Sequence, residues 1–275
     1  MKPLDDRIGV STLCMPRIPI EEAVGRIQDA GFKAIEIVPV KVQRDSNIDY
    51  WMEYFTPTKR KEMKSLLKTF ETVTVHSSSL GVNICHTDSV ERQRAIYQYN
   101  AIMEFAVDIG AQIVTMHSGN AGDRHLTDKY HLDYGQTAAE YAARHNLTAG
   151  YEFFRPNVIA QIGSPHFGIN FDIGHAAQRM PPSREKCTQG VLEWIEQMMP
   201  VIVEFHVHGV FIDGESMIDH QPFHRNTALD YSRIISLLIE KNYQGPLMLE
   251  IEIPSEPETT IAYCKEAKME LLRFL

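Results

Sequence analysis

A carboxylate and an imidazole lie three residues apart in the segment Asn170-Phe171-Asp172-Ile173-Gly174-His175. The preceding run, Phe167-Gly168-Ile169, has the apolar character of a buried strand, so Asp172 stands where that strand would end. An aspartate oxygen and a histidine nitrogen in one place suit Mn, Mg, Co or Zn. The alternative is a helix start, with Asp172 as the N-cap and His175 in the first turn.

Other apparent strands also end in residues that can bind a metal or move a proton. These residues are His76, His117, Glu152, His206, His208, Glu250 and Glu252. A lone histidine at a strand end is more often structural, but an inward carboxylate without a partner is costly to bury. Several such carboxylates facing each other would need a cation to offset their charge, so the joint pattern predicts a metal centre.

Short apolar runs alternate with longer amphipathic stretches along the chain. Eight runs are predicted as strands: Arg7–Leu13, Ala34–Val38, Thr72–His76, Gln112–His117, Ala149–Phe154, His166–Phe171, Val201–His208 and Pro246–Ile251. The predicted helices are Ile20–Ala30, Thr58–Phe70, Ser89–Ile109, Gly135–His145, a short one from Pro156, Ser183–Met199, Leu229–Lys241 and Glu256–Leu275. Eight strand–helix units with near-continuous apolar strands predict an α/β protein with one (β/α)8 TIM barrel domain over residues 1–275. A doubly wound open sheet is the alternative, which the lack of a GxGxxG or Walker loop after any strand weakens.

The longest predicted irregular segments all follow strands. They are Val40–Tyr50, Ser118–Tyr134 and Gly209–Asn226. In a barrel, such loops gather at the carboxyl ends of the strands, where the chemistry of this fold lies. The strand-end residues are therefore predicted to share one mouth.

Composition narrows the class of protein. A chain of 275 residues with 44% hydrophobic content can bury a full core. It has no run of 18 apolar residues, which disfavours a membrane span, and its net charge of −9 disfavours a nucleic-acid partner. Met1–Arg7 lacks the apolar segment of a signal peptide, and the four cysteines are scattered, so we expect a cytoplasmic location.

The strand-end motifs resemble those of the xylose-isomerase-like TIM barrel superfamily, which includes sugar phosphate isomerases and epimerases and the AP endonuclease family 2 enzymes. The resemblance covers nearly the whole chain and rests on Thr74-Val75-His76, Val114–Gly119, Tyr151-Glu152, Asn170–His175, Phe205–His208 and Leu249-Glu250. In the sugar epimerases of this family, Glu, Asp, His and Glu from strands five to eight hold one divalent metal. The resemblance implies that Glu152, Asp172, His208 and Glu250 bind one divalent metal ion, which would be Mn, Co, Mg or Zn.

The resemblance also implies roles in catalysis. Glu152 and Glu250 would form the acid/base pair, and His175 would contact the substrate. The histidines of strands three and four, His76 and His117, are further substrate-binding candidates.

Loop arginines extend the set of candidates for substrate binding. Arg155, Arg179 and Arg225 fall in loops near the predicted mouth, where an arginine suits a carboxylate or phosphate on a small substrate. Arg225 is taken as the substrate-binding candidate, and the alternative for all three residues is a solvated loop charge.

Two choices of ligand stay open at this point. His206 and His208 share one side of their strand by period-two alternation, and His208 is favoured because it lies nearer the carboxyl end. Glu250 and Glu252 pose the same choice, and the family pattern favours Glu250.

The AP endonuclease branch differs in motifs that this chain can be tested against. That branch binds three zinc ions and has an Asp-x-His pair after strand seven, followed by a glycine-rich turn. Here Asp219 and His220 are adjacent, and the turn is replaced by Phe223-His224-Arg225-Asn226. These departures argue against the trinuclear site.

Four functions follow in order of preference. The first is a metal-dependent isomerase or epimerase that removes a proton next to a sugar carbonyl through a metal-stabilised enediolate. The second is a keto-sugar dehydratase or lyase on the same site, the third is a zinc-dependent AP-endonuclease-type phosphodiesterase, and the fourth is a metal-free binding protein. The expected partner is a small carbohydrate, without nucleic acid or membrane.

Trp51 and Tyr54 are candidates for a substrate wall or a subunit contact in a homodimer or homotetramer.

Overall fold

The computed structural model describes residues 2–39, 55–77, 82–252 and 256–274. The strands are β1 (Ile8–Ser11), β2 (Ala34–Ile37), β3 (Thr72–His76), β4 (Ile113–His117), β5 (Thr148–Glu152), β6 (Phe167–Asp172), β7 (Ile202–Val207), β8 (Gly209–Asp213), β9 (Ser216–Gln221) and β10 (Leu247–Leu249). The α-helices are α1 (Leu4–Arg7), α2 (Ile20–Asp29), α3 (Pro57–Leu66), α4 (Ser89–Ile109), α5 (Arg124–Arg144), α6 (Pro156–Ile162), α7 (Ile173–Ala177), α8 (Arg184–Met198), α9 (Tyr231–Glu240) and α10 (Pro257–Leu272). Short 3-10 turns cover Thr12–Cys14, Leu67–Thr69, Met199–Val201 and Phe223–Arg225.

Eight parallel strands close into a barrel in the order β1-β10-β7-β6-β5-β4-β3-β2. The barrel closes where β1 pairs with β10, with Ile8 opposite Leu247 and Val10 opposite Leu249. The predicted (β/α)8 TIM barrel is confirmed, and the open doubly wound alternative is wrong because the sheet has no edge between these two strands.

The core lies between the barrel and its surrounding helices. All residues of β1, β2 and β6 are buried, as expected of parallel strands covered on both faces, and these include the polar side chains of Glu36, Asn170 and Asp172. Helix α2 buries only Ile20, Ala23, Val24 and Ile27, the stripe that a 3.6-residue period places on one face. Among the helices that the structure describes, none is long and apolar enough to cross a bilayer.

Helix α4 follows its sequence signals closely. The Asp88 side chain accepts hydrogen bonds from the backbone N–H groups of Val90 and Glu91 at the start of the helix. Gly110 ends the helix at a φ of 84°, a left-handed conformation that glycine adopts without strain. The predicted bounds, Ser89–Ile109, are therefore confirmed.

The segment Gly209–Asn226 is not an irregular loop, and that prediction is wrong. Strands β8 and β9 form an antiparallel hairpin over most of it, with Asp213 opposite Ser216. Gly214 is the first of the two turn residues and has a φ of 61°, the left-handed backbone that a glycine supplies at the first position of such a turn. This glycine was the sequence signal for the turn.

The segment Ser118–Tyr134 is also more ordered than predicted. Helix α5 begins at Arg124, because the Asp123 side chain accepts a hydrogen bond from the Leu126 N–H and caps the first turn. The third predicted loop, Val40–Tyr50, and the residues Trp51 and Tyr54 lie outside the described residues.

Two glycine-to-alanine changes test what stabilises helices α4 and α2. Gly110→Ala should lower the free energy of unfolding by about 1 kcal/mol, because alanine is strained at the positive φ of this helix end. Gly25→Ala should raise it by about 0.5–1 kcal/mol, because Gly25 lies inside α2 and an added Cβ would meet nothing within 4 Å. Urea unfolding monitored by far-UV circular dichroism measures both. Equal shifts would contradict this account of the two sites.

Candidate active site

The predicted site residues meet at the carboxyl ends of the barrel strands. His76, His117, Glu152 and Asp172 are the last residues of β3, β4, β5 and β6. His117 is the register partner of Glu152, and Asp172 is the register partner of His206. His208 and Glu250 directly follow β7 and β10. The barrel register therefore brings these residues together from six adjacent strands.

Asp172, His208 and Glu250 form one group with His220, with one potential ligand atom from each residue lying within 4.8 Å of the others. His208 Nε2 lies 3.7 Å from Asp172 Oδ1, and His220 Nε2 lies 3.5 Å from Glu250 Oε2. Three of the four predicted ligands are therefore grouped, and His220 is an addition that sequence reasoning missed. His206 belongs to another candidate group, with His76 and Glu250, so the choice between His206 and His208 stays a prediction. Glu252 is exposed and lies 3.8 Å from His220, and the preference for Glu250 over Glu252 also stays a prediction.

Several buried donor atoms of this group have no hydrogen-bond partner in the described structure. They are both ring nitrogens of His208 and Asp172 Oδ2. Burial, followed by the charge of His220, holds the pKa of His208 well below its usual value, which keeps the ring neutral. A neutral imidazole beside a carboxylate oxygen that has no partner is the form in which these groups bind a divalent cation. The donor set fits the predicted metal.

Glu152 has different neighbours from the other predicted ligands. Its Oε2 lies 3.0 Å from His76 Nε2 and 3.3 Å from His117 Nδ1, and its Oε1 lies 2.7 Å from His175 Nδ1. Burial alone would raise the pKa of Glu152, but His117, His175 and His76 lower it well below its usual value. The structure thus places Glu152 as an ionised carboxylate among three histidines.

Asp172 and His175 serve the local backbone as well as the site. Asp172 Oδ1 accepts a 2.6 Å hydrogen bond from the His175 N–H and caps α7, so the helix-start interpretation of this segment is correct. The same turn points the His175 ring at Glu152 and leaves Asp172 Oδ2 toward the mouth, 3.8 Å from His175 Nδ1. Burial raises the pKa of Asp172 to about 6, although His175 opposes the shift.

Gly174, between these two residues, makes room for the ring of His208. A Cβ at this position would lie 1.8 Å from His208 Nε2. No L side chain fits at that distance, so the glycine is required by the neighbouring ring rather than by the turn.

The β8–β9 hairpin brings a second acid and base to the mouth. His175 Nε2 lies 3.6 Å from Asp219 Oδ2, and the ring of His220 stacks on His208 with centroids 4.2 Å apart. His220 has a φ of 53°, a left-handed conformation that is uncommon outside glycine. Adjacent strand residues normally face opposite sides, and this backbone reversal explains how both Asp219 and His220 face the site. The adjacent spacing of these two residues therefore does not remove them from the mouth.

The arginine predicted to bind substrate lies apart from this cluster. Arg225 is exposed, and its guanidinium stacks over the Phe211 ring at 5.3 Å. Arg155 pairs with Asp128, and Arg179 stacks over Phe154 at 5.2 Å. The structure therefore does not bring Arg225 together with the strand-end residues.

The fold and the side chains at its mouth define a closed β/α barrel with groups that could hold a metal ion. Comparison with known proteins identifies its family. Residues 24–267 match the xylose isomerase-like TIM barrel family, and the chain belongs to that family. It is 25% identical over 263 residues to an uncharacterised protein of Methanocaldococcus jannaschii, covering 90% of this chain and 88% of the relative.

Solved structures share the fold over almost the whole chain. A D-psicose 3-epimerase from Clostridium cellulolyticum H10, solved with D-tagatose, is 11% identical, with a TM-score of 0.75 and 98% of both chains covered. A xylose isomerase-like TIM barrel protein from Mycobacterium smegmatis, solved in complex with magnesium, is 15% identical, with a TM-score of 0.69 and coverage of 98% of this chain and 97% of the other. At these identities the likeness is one of fold.

The Gly174→Ala variant should fold but bind divalent metal at least about tenfold more weakly than the natural protein, because the new methyl group displaces the His208 ring. Titration with Mn²⁺, followed by isothermal calorimetry, measures the affinity. Gly190→Ala is the matched control, because the three atoms nearest to its Cβ would all belong to the flexible side chain of Met180. Unchanged Mn²⁺ affinity in the Gly174 variant would remove His208 from the ligand set.

Proposed function

We propose that this protein is a divalent-metal-dependent isomerase or epimerase of a small carbohydrate. The observation that carries the proposal is the pair of buried carboxylates, Glu152 and Glu250, on strands that flank the cation-binding donors of β6 and β7. Family membership supports it, since the fold relatives include an epimerase of ketohexoses and a magnesium complex.

Asp172, His208 and Glu250 are the residues proposed to hold the cation, with His220 within reach of the same group. Their mixed oxygen and nitrogen donors suit Mn, Co, Zn or Mg. Bound there, the cation would polarise a substrate carbonyl and offset negative charge that develops on its oxygen. The ligand role of Glu152 stays a prediction, because its carboxylate contacts His76, His117 and His175 in this structure.

The two glutamates are proposed to move the proton. Burial alone would raise the pKa of Glu250, but His206 and His220 hold it well below its usual value, as the histidines do for Glu152. Each is therefore a carboxylate that can accept a proton from the carbon next to a carbonyl. In epimerisation one glutamate takes the proton from one face of the carbon, and the other gives its own, different proton to the opposite face. Because both glutamates are held ionised in this structure, the second would have to take up a proton before it can act as the acid.

His175 is proposed to hold the Glu152 carboxylate and contact the substrate. Burial alone would lower the pKa of His175, but Asp172 and Glu152 raise it to about 9. A protonated His175 is a donor both to Glu152 and to a substrate hydroxyl. Its half-exposed ring lies at the mouth, where a sugar would enter.

Turnover in D₂O tests the proton transfer directly. Incubated with Mn²⁺ and D-psicose or D-tagatose, the protein should place deuterium at the carbon next to the carbonyl, seen as loss of that proton signal by NMR. Glu152→Gln and Glu250→Gln should each lower the exchange rate by about two to four orders of magnitude, because glutamine cannot accept the proton. Glu252→Gln, on the exposed neighbour, should keep a near-normal rate.

The outcomes separate the proposals. Near-normal exchange in Glu152→Gln with intact Mn²⁺ binding would show that this carboxylate is only a ligand. The same spectra identify a dehydratase, since elimination of water replaces the epimer with a deoxy keto product.

A metal-dependent phosphodiesterase is the second candidate, and one observation favours it. Two further donor groups line the mouth, one of His76, His117 and Glu152 and the other of His175, Asp219 and His220. Each could hold a cation, so the site has donors for more than one metal. The net charge of −9 opposes a DNA substrate, which makes this the weaker candidate.

Incision of an abasic DNA duplex should be absent. The test is a nicking assay with added Zn²⁺ or Mn²⁺. Low ionic strength is used because it gives the strongest electrostatic contribution to DNA binding. Robust incision that EDTA abolishes would replace the isomerase proposal with the phosphodiesterase.

A further inference from the structure

A cysteine side chain bonds to the backbone on both sides of Glu250. Cys14 is the last residue of the 3-10 turn that follows β1. Its Sγ lies 3.3 Å from the carbonyl oxygen of Leu249, and the N–H of Ile251 donates to the same sulfur at 3.1 Å. A thiol is a weak donor and a weak acceptor, so one sulfur can serve both backbone groups. Glu250 is the residue between them.

Cys14 takes the place of a backbone group of β1 in the sheet. The register of β1 with β10 ends one residue before Glu250. Alternate residues of a strand bond to the same neighbouring strand, so the Glu250 N–H faces β7 and the Ile251 N–H faces β1. The Glu250 N–H donates to the Val207 carbonyl at 3.2 Å. On the other side, the Ile251 N–H donates to the Cys14 sulfur, because the chain of β1 has already turned into the 3-10 helix.

The contact between Cys14 and this backbone is shielded from water. Cys14 is 2% exposed, Ile251 is 0% exposed and Glu250 is 3% exposed. A buried N–H without an acceptor is costly, so we expect the backbone to move toward another acceptor if the sulfur is removed. Because Glu250 lies between the two bonded groups, such a movement would carry its carboxylate with it.

We propose that Cys14 is a positioning residue, whose sulfur fixes the backbone on either side of Glu250 and so holds that carboxylate at the mouth. This inference rests on the proposed function for the role of Glu250, but the two bonds themselves do not. The sulfur acts here as a hydrogen-bonding group and undergoes no reaction. Partners that orient a metal ligand commonly change metal affinity about 10–100-fold when they are removed.

A buried cysteine can also serve only as a small apolar side chain, and two variants separate that role from positioning. Cys14→Ser and Cys14→Ala are nearly equal in size and both remove the sulfur, but only serine keeps a group that donates and accepts. If packing were the whole role, serine would do no better than alanine, because burying a hydroxyl is costly. If the sulfur positions the backbone, serine should do better.

Cys187 provides a matched control in helix α8. It is 0% exposed, and the hydrogen bond of its sulfur is long, with 3.8 Å between Sγ and the carbonyl oxygen of Ala177. Cys187→Ala therefore removes an equally buried sulfur that is not bonded beside Glu250. Only the change at Cys14 is expected to reach that carboxylate.

The first measurement is amide hydrogen exchange followed by NMR, which needs no metal. The Ile251 amide should exchange at least about tenfold faster in Cys14→Ala than in the natural protein, and Cys14→Ser should recover part of the protection. The amide of Val114, on β4 across the barrel from β10, is the reference for global opening. An Ile251 amide that speeds up no more than this reference, or a serine variant no better than alanine, would overturn the inference whether or not the protein binds a metal.

The second measurement is Mn²⁺ affinity by calorimetry, with the unfolding midpoint as a check on folding. Cys14→Ala should bind Mn²⁺ at least about tenfold more weakly, with Cys14→Ser and Cys187→Ala each within about threefold of the natural protein. Equal losses in Cys14→Ala and Cys187→Ala would overturn the positioning role. If Cys14→Ala does not fold, Cys14→Val replaces it in both measurements, because valine fills the space without a donor or acceptor. A natural protein that binds no Mn²⁺ overturns the proposed function instead, and the amide exchange then decides the role of Cys14.

Discussion

The burial of ionisable groups at one end of the barrel is the constraint on which the rest of this structure depends. Five acids and histidines on or directly after the described barrel strands are completely shielded from solvent: Glu36, Asp172, Glu204, His206 and His208. Ions in a protein interior are tolerated only when partners replace the water that they lose. The closed sheet supplies this condition, because parallel strands in register place acids and bases from neighbouring strands within bonding distance. The acids and bases available at the mouth are therefore the same groups that balance one another's charge inside the barrel.

The protonation of His206 and His208 differs because their neighbours differ. Burial alone would lower the pKa of His206, but Glu250 and Glu36 raise it well above its usual value. Burial and the charge of His220 lower the pKa of His208 well below its usual value. The two are only two residues apart on the same side of the chain, so the sequence context hardly distinguishes them. The two histidines differ in their position along the barrel axis. A step of two residues along a strand keeps a side chain on the same side of the sheet but moves it from the filled interior toward the rim.

The positions of the eight barrel strands were predictable because apolar runs are local features, although most predicted ends differ by one or two residues from those observed. Helix α4 was predicted to the residue by its cap and its glycine. His220 was not predictable, because its place depends on a left-handed backbone at a non-glycine residue and on a hairpin packed over the barrel. Nor could the sequence separate Glu152 from the other expected ligands. Its contacts with His76, His117 and His175 come from three separate segments of the chain, and only the assembled barrel brings them together.

The pairing of β1 with β10 has a consequence for the order in which the protein becomes competent. Glu250 follows the last barrel strand to leave the ribosome, and that strand lies between β1 and β7. A nascent chain that has made β1 to β7 already carries Asp172 and His208 but still exposes two unpaired strand edges. The proposed cation site would therefore be completed by the same event that seals the sheet. Capture of a metal by a finished site would report that synthesis and closure had both succeeded.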